Sequence, residues 1–211
     1  MNPDLCEIPP WLDVSRETVA DLKAHVALVQ KWNPAINLVS KGTLRDIWQR
    51  HVLDSCQVFV FSQPLLENAR LWVDLGSGGG FPGIVAAILA KQTFPDLRFV
   101  MIESDRRKSV FLTQAVQTLA LRAAILTDRI ENIDAQGADI VSARALAPLG
   151  DLCGFADHHL CSGGVAIFQK GANADMEVAN ARKQWQFDLQ QVASQTEATA
   201  SVLLLKEIRL A

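Results

Sequence analysis

Residues 74–83 of this 211-residue chain have the sequence DLGSGGGFPG. The stretch ends the apolar run Leu71–Leu75 and leads into a helical pattern that begins at Gly83, so it predicts a turn between a buried strand and a helix. Its glycines allow positive φ angles and put no side chain in the way of a ligand, and Pro82 suits the opening of a helix. We therefore interpret it as a ligand-binding loop.

The sequence after this loop alternates between short β-rich runs and helical runs, which is typical of a parallel sheet with helices on its faces. The predicted strands are Leu71–Leu75, Arg98–Glu103, Ala123–Thr127, Asp139–Ala143 and Val165–Gln169. The predicted helices are Gly83–Lys91, Arg106–Leu119, Pro148–Leu160 and Asp175–Gln184. Phe187–Ala193 and Ser201–Arg209 have no helix between them and predict an antiparallel pair that closes the sheet. The fold class is thus α/β, with a doubly wound, Rossmann-like sheet.

Residues 1–70 have a different pattern. Two stretches with helical periodicity, Ser15–Trp32 and Thr43–Phe61, are joined by a polar link. Because the change of pattern falls near Arg70, we predict an N-terminal helical cap over residues 1–70 and a sheet domain over residues 71–211.

Two classes of ligand are considered for the glycine loop. Gly78, Gly80 and Gly83 match the G-x-G-x-x-G pattern of dinucleotide sites, which keeps a nicotinamide or flavin cofactor open as an alternative. However, Asp74 would repel a pyrophosphate and would suit a ligand with an ammonium group. The pattern D-x-G-x-G-x-G, from Asp74 through Gly76 to Gly80, resembles the first motif of class I methyltransferases. We therefore favour S-adenosyl-L-methionine, which has an amino acid end and no phosphate.

Two further segments fit a bound nucleoside. Glu103 closes the second predicted strand, where a doubly wound fold brings an acid beside the ribose hydroxyls of a nucleotide ligand. In the same topology the turn Asp128–Glu131 flanks the adenine. We expect Ile130 to pack on the base and Glu131 to contact its edge.

Three cations follow neighbouring strands and are expected on one face of the sheet. They are Arg144 after the fourth strand, Arg129 after the third and Lys170 after the fifth. Their convergence predicts an anionic acceptor such as RNA, because the arginine fork suits phosphate and the O6/N7 edge of guanine. The alternative is that these cations pair with neighbouring acids, namely Asp128, Glu131 and Asp139.

The fourth strand is not followed by an Asn-Pro-Pro-Tyr-like tetrapeptide of the kind amino-group methyltransferases carry, nor by a nucleophilic cysteine. Guanine N7 needs neither, because its lone pair carries no proton. Attack on a sulfonium methyl then requires positioning and electrostatics more than a general base.

Composition limits the other possibilities. The net charge is −3, which argues against a protein that coats nucleic acid by bulk charge. No apolar window approaches the roughly eighteen residues that span a bilayer, and the acids Asp4, Glu7 and Asp13 oppose a signal peptide. We therefore expect a cytoplasmic protein with no membrane contact. The four cysteines form no Cys-x-x-Cys pair and predict reduced thiols with no metal site: Cys6, Cys56, Cys153 and Cys161.

Further motifs extend along nearly the whole chain. They are Lys31-Trp32-Asn33, Ile36-Asn37-Leu38, His51 with Leu53-Asp54-Ser55, Glu103-Ser104, Arg107-Lys108, Arg129 with Glu131, Ser142-Ala143-Arg144-Ala145 and Lys170-Gly171. Together with the glycine loop they resemble the RsmG family, also called GidB, of bacterial methyltransferases that modify guanine N7 in the 530 loop of 16S ribosomal RNA.

The resemblance implies a cofactor site and an RNA-facing side. Its implied S-adenosyl-L-methionine residues, taken with the loop, are Asp74, Gly76, Gly78, Phe81, Glu103, Ile130, Glu131 and Arg144. Arg144 and Arg129 are expected to hold cofactor and acceptor in line, and Lys170, Asn37 and His51 to face RNA. The implied partner is 16S rRNA within a small ribosomal subunit particle, bound by a monomer without metal. The chain departs from the family just before its last strand, where residues 197–202 read EATASV and lack the usual basic residue.

Three other functions remain open from the sequence. One is a methyltransferase that uses the same cofactor on a small molecule. Another is a nicotinamide-dependent oxidoreductase. The third is a ribosome-assembly factor with a vestigial pocket.

Overall fold

The computed structural model describes residues 8–211. The helices are α1 (Arg16–Trp32), a π-helix (Trp48–Leu53), α2 (Asp54–Leu66), α3 (Gly83–Thr93), α4 (Arg106–Thr118), a 3₁₀ turn (Ile130–Asn132), α5 (Leu149–His159) and α6 (Ala174–Ala181). The strands are β1 (Leu71–Leu75), β2 (Arg98–Ile102), β3 (Ala123–Leu126), β4 (Ala138–Arg144), β5 (Leu160–Lys170), β6 (Trp185–Ala193) and β7 (Ser201–Leu210).

The strands form one seven-stranded sheet in the order β3-β2-β1-β4-β5-β7-β6. Strands β1 to β5 are parallel, and β7 runs antiparallel between β5 and β6. The predicted α/β class and the antiparallel closing pair are therefore confirmed. The chain reverses its direction of winding between β1 and β4, and ligands of such sheets bind beyond the carboxyl ends of the strands at this switch point.

The helical cap (α1, the π-helix and α2) differs from the prediction in its second helix. The predicted start at Thr43 lies in a turn, where the Thr43 amide and hydroxyl bond to Ser40. Such local side-chain bonds compete with helix formation. Helical structure begins close to Trp48 and continues past the predicted end to Leu66, with Pro64 inside its last turn.

Two apolar clusters cover the two faces of the sheet. Trp72 and Val73, neighbours on β1, belong to different clusters because successive side chains of a strand point to opposite faces. One cluster joins α1 and α2 of the cap to α3 and α4, and the other contains α5. The cap and the sheet thus share one core, and the division near Arg70 separates types of element rather than cores.

The thiols of Cys56, Cys153 and Cys161 are free, and the first two are buried. The prediction for Cys6 lies outside the described residues. No helix within residues 8–211 is long and apolar enough to cross a membrane.

Candidate active site

The glycine loop follows the carboxyl end of β1, and its Gly76 and Gly78 are partly exposed. Gly76 and Gly78 have φ angles of +62° and +54°, which side-chain-bearing residues rarely adopt. A Cβ at Gly78 would meet only the Gly76 carbonyl oxygen, at 3.7 Å. A side chain there would project into open space, so a ligand can approach the backbone at this position.

Asp74 lies beneath the loop, fully buried. Its Oδ1 accepts a 2.6 Å hydrogen bond from Ser142 Oγ, which itself accepts one from Trp72 Nε1 at 2.8 Å, and its Oδ2 accepts a weaker bond from the Gly83 amide at 3.3 Å. Burial raises the pKa of this carboxyl to about 6, although the hydrogen bonds oppose the shift. This differs from the expectation that Asp74 faces an ammonium group. With no exposed surface, it acts on the shape of the loop.

Glu103 follows β2 and is 6% exposed. One carboxylate oxygen accepts the Gly78 amide at 2.9 Å and the other accepts the Asp105 amide at 2.8 Å. Arg107 pairs with Asp105 instead of Glu103, so the glutamate is not used in an ion pair with that arginine. Each oxygen retains a second acceptor position, which suits a pair of hydroxyl groups next to the glycine loop.

The 3₁₀ turn holds the residues predicted to flank an adenine. Ile130 is 8% exposed and packs with the apolar cluster that includes Ile102. Glu131 and Arg129 are both exposed, and they form an ion pair at 3.5 Å. The alternative reading in which Arg129 pairs with Glu131 is therefore confirmed, but a pair this exposed is weak enough to exchange for a ligand.

Arg144 ends β4 and is held by the cap. Its guanidinium donates to Nδ1 of His51 at 2.7 Å, to the Arg50 carbonyl at 3.1 Å and to Asp54 Oδ2 at 3.4 Å. It also lies 5.3 Å from the ring centre of Phe81, on the glycine loop. Only 17% of the side chain is exposed. One cation thus contacts the cap and the glycine loop at the switch point of the sheet.

A cavity of about 930 Å³ opens beside Arg144, beyond the carboxyl ends of β4 and β5. Its lining includes His51, Asp54, Arg144, Gln169 and Lys170. Arg144 and Lys170 therefore converge as predicted. Arg129 does not line this cavity, so the expected group of three cations is reduced to two.

Lys170 is less available than the sequence suggested. Its side chain is 8% exposed, and Nζ donates to Glu177 Oε2 and to the Ala147 carbonyl, each at 2.7 Å. Glu177 also accepts the Leu149 amide at 2.9 Å. The lysine therefore anchors the loop between β4 and α5, and an RNA phosphate would have to displace an internal ion pair to reach it.

The two remaining RNA candidates differ in exposure. Asn37 lies on the surface of the turn after α1. His51 is partly buried and bonds both Arg144 and Thr43. The neighbouring Asn33 is structural, since its Oδ1 accepts the Leu38 and Val39 amides at 2.9 Å.

Four further residues of the site were not predicted from the sequence. Gln57 is 1% exposed and joins Asp54 to Ser194 and Thr196 in the loop between β6 and β7. Gln169 donates to Asp54 at 2.6 Å, Thr43 bonds His51, and Leu146 packs onto Gly76.

Comparison with solved structures defines the class of fold. The O-methyltransferase TomG from Streptomyces achromogenes, solved in complex with SAM, aligns with a TM-score of 0.58 at 13% identity over 92% of this chain and 91% of that one. A methyltransferase from Geobacter sulfurreducens aligns with a TM-score of 0.56 at 15% identity, covering 92% and 90%. The fold is the Rossmann-like fold of methyltransferases.

Sequence comparison defines the family. The family described as GidB, rRNA small subunit methyltransferase G, matches residues 18–204, and the chain belongs to it. Relatives named ribosomal RNA small subunit methyltransferase G include one from Cereibacter sphaeroides, 50% identical over 93% of this chain and 94% of its own length. Another from Ruegeria pomeroyi is 50% identical over 91% and 92%.

Proposed function

We propose that this protein transfers the methyl group of S-adenosyl-L-methionine to N7 of a guanine in the 530 loop of 16S ribosomal RNA. The observation that carries the proposal is the position of Arg144. It lies between the glycine loop on one side and the 930 Å³ cavity on the other. Membership of the family and the names of the relatives support ribosomal RNA as the substrate.

The residues around the glycine loop fit the cofactor. When bound, S-adenosyl-L-methionine supplies an electrophilic methyl group on a sulfonium. The Glu103 oxygens have acceptor positions for the ribose hydroxyls, and the open side of Gly78 lets a ligand reach the loop backbone. Ile130 offers an apolar surface for the adenine, with Glu131 at its edge. Asp74 supports the site from below through Ser142 and the Gly83 amide.

The acceptor side requires positioning and no proton acceptor. Guanine N7 loses no proton during methylation, so the residues near Arg144 have to orient the base and exclude water. Arg144 donates from a mostly buried side chain, and its charge is partly offset by Asp54. Its remaining donor capacity is available for guanine O6 or for a phosphate.

The charge distribution favours RNA presented by a particle. The chain carries a net charge of −3, and Lys170 is paired internally. Contacts with RNA then fall to exposed groups such as Arg129 and Asn37 and to Arg144 at the cavity. Because few phosphates would be neutralised, binding would depend on the shape of the RNA. A small ribosomal subunit particle, which holds its RNA in a defined shape, is therefore a better substrate than free RNA.

The proposal is tested by methyl transfer to ribosomal particles from cells that lack this protein, comparing wild type with Arg144→Lys. The substitution keeps the charge and removes the planar fork, and we expect kcat to fall about 100-fold. Activity should weaken only modestly as salt is raised, because few phosphate contacts release counterions. Transfer to small molecules alone, with cofactor binding intact, would support the small-molecule alternative and refute the RNA substrate.

A further inference from the structure

Within residues 8–211, the three hydrogen-bond partners of Arg144 come from one short segment of the cap. The Arg50 carbonyl, His51 Nδ1 and Asp54 Oδ2 lie at 3.1, 2.7 and 3.4 Å from the guanidinium nitrogens. The shortest of these bonds involves His51, and Asp54 is shared with Gln57, Gln169 and Thr196. His51 therefore makes the closest of the contacts that hold the Arg144 guanidinium.

The donors and acceptors around His51 allow one arrangement. A guanidinium has only N–H donors, so Nδ1 of His51 must accept and must carry no proton. Nε2 then carries the proton and donates to Thr43 Oγ1 at 2.8 Å. The Thr43 hydroxyl in turn donates to the Ser40 carbonyl at 3.1 Å. Each group in this series donates to the next: Arg144 to His51, His51 to Thr43, and Thr43 to the Ser40 carbonyl.

The surroundings of His51 favour its neutral form. Burial lowers the pKa of the imidazole to about 3, with further contributions from the charges of Arg144 and Arg50. The ring packs against Phe81, with ring centres 5.1 Å apart. Phe81 also lies under Arg144, so the imidazole and the guanidinium rest on the same side chain of the glycine loop.

The backbone that carries His51 is unusual. His51 and Arg50 lie in the π-helix, a conformation that is rare and occurs often at functional sites. The α-helix resumes at Asp54. The wider turn presents a carbonyl, an imidazole and a carboxylate to one guanidinium.

We infer that His51 is a positioning residue, whose neutral Nε2–H tautomer, fixed by Thr43, orients the Arg144 guanidinium towards the acceptor cavity. The inference rests on the proposed function, since it assumes that Arg144 acts on cofactor or acceptor. It replaces the expectation that His51 contacts RNA directly. The histidine acts through the arginine and needs no proton transfer.

The kinetic test uses a matched pair of substitutions. His51→Leu removes the acceptor and keeps an apolar side chain against Phe81. His51→Asn keeps an acceptor, because the asparagine Oδ1 can take the position of the histidine Nδ1. Because small misplacements of a reacting group are costly, we expect His51→Leu to lower kcat about 30-fold, with KM for cofactor and particle changed less than about threefold. His51→Asn should retain most of the wild-type kcat. The kcat of Thr43→Val should lie between those of His51→Leu and His51→Asn.

A measurement that does not use activity tests the geometry itself. Long-range ¹⁵N–¹H correlation spectra at neutral pH should show His51 as the neutral Nε2–H tautomer, assigned by the loss of its signals in His51→Asn. Finding Nδ1–H or an imidazolium would overturn the inference. So would the same kcat in His51→Leu and wild type.

These outcomes separate the inference from the proposed function. If Arg144→Lys loses activity and His51→Leu does not, the inference fails and the proposed function stands. If wild type transfers no methyl to any ribosomal form, the proposed function fails. The tautomer spectrum then overturns or supports the hydrogen-bond arrangement alone.

Discussion

One buried side chain, His25, joins the cap to the glycine loop. His25 on α1 is fully buried, with ring centres 5.0 Å from Phe81 and 6.2 Å from Phe111. Neither ring nitrogen makes a hydrogen bond of ordinary geometry within residues 8–211. Burial lowers its pKa to about 3, and the Gly79 backbone offsets little of this shift. His25 therefore stays neutral in the folded protein at any physiological pH.

This burial makes stability depend on pH in a defined direction. The unfolded chain protonates His25 below about pH 6.5, whereas the folded chain does so only near pH 3. Between these values the unfolded state binds more protons, so the free energy of unfolding falls as the pH falls. When the pH is lowered from 7 to 5, the free energy of unfolding should fall in wild type. We expect the fall to be about 2 kcal/mol smaller in His25→Met. Urea denaturation at both pH values measures this, with the exposed His158→Gln as the control; equal losses in all three proteins would contradict it.

Two glycines of the glycine loop, Gly83 and Gly78, have different surroundings. A Cβ at Gly83 would lie 2.6 Å from Asp74 Oδ2, so the absence of a side chain lets the start of α3 approach the buried carboxylate. A Cβ at Gly78 would meet no protein atom closer than 3.7 Å. Gly83 is therefore needed for packing, whereas the space beside Gly78 is open.

Two single substitutions test this difference. Gly83→Ala should destabilise the protein by about 1–3 kcal/mol, because the new methyl group clashes with a buried side chain. Gly78→Ala should cost about 1 kcal/mol for its positive φ, but it should weaken S-adenosylhomocysteine binding at least about tenfold by occupying the open space beside the loop. Calorimetric binding together with thermal unfolding distinguishes the two. Wild-type affinity in Gly78→Ala would show that the ligand does not approach the loop there.

The elements were largely predictable from the sequence because their patterns are local. The β1 strand was predicted at its observed bounds, and all seven strands were identified. The start of β5 was missed because Gly163 and Gly164 indicate a turn, whereas Leu160 pairs with Ala138 before a shift in register. Helical periodicity alone places Thr43 in a helix, because a hydrophobic pattern carries no information about the bonds of Thr43 to Ser40.

At the scale of the whole molecule, long-range polar contacts join the cap, the sheet and the loop between β6 and β7. Gln57 bonds Ser194 and Thr196, more than 130 residues away, and Gln169 bonds Asp54 over 115 residues. Strand-end residues such as Glu103 and Arg144 could be predicted because topology fixes their position. The glutamines could not, because nothing near them in the sequence indicates a partner so distant.

These contacts predict that the molecule unfolds as one unit. Gln57→Met keeps the volume of a buried side chain but leaves Asp54 and the Gln195 amide without one partner each. We expect a loss of about 1–3 kcal/mol with a single transition and an unchanged m-value. Two resolved transitions in wild type, monitored by tryptophan fluorescence and circular dichroism, would show that the cap and the sheet unfold separately.

The methylated nucleoside identifies both the acceptor atom and the substrate of the reaction. Small ribosomal subunit particles from cells that lack this protein are incubated with the protein and labelled S-adenosyl-L-methionine, and the nucleosides of the digested RNA are separated. We expect label in 7-methylguanosine when the digested RNA is the isolated 530-loop fragment of 16S RNA, and loss of this label with Arg144→Lys. Label in another nucleoside, or none in any ribosomal form while the cofactor binds, would contradict it.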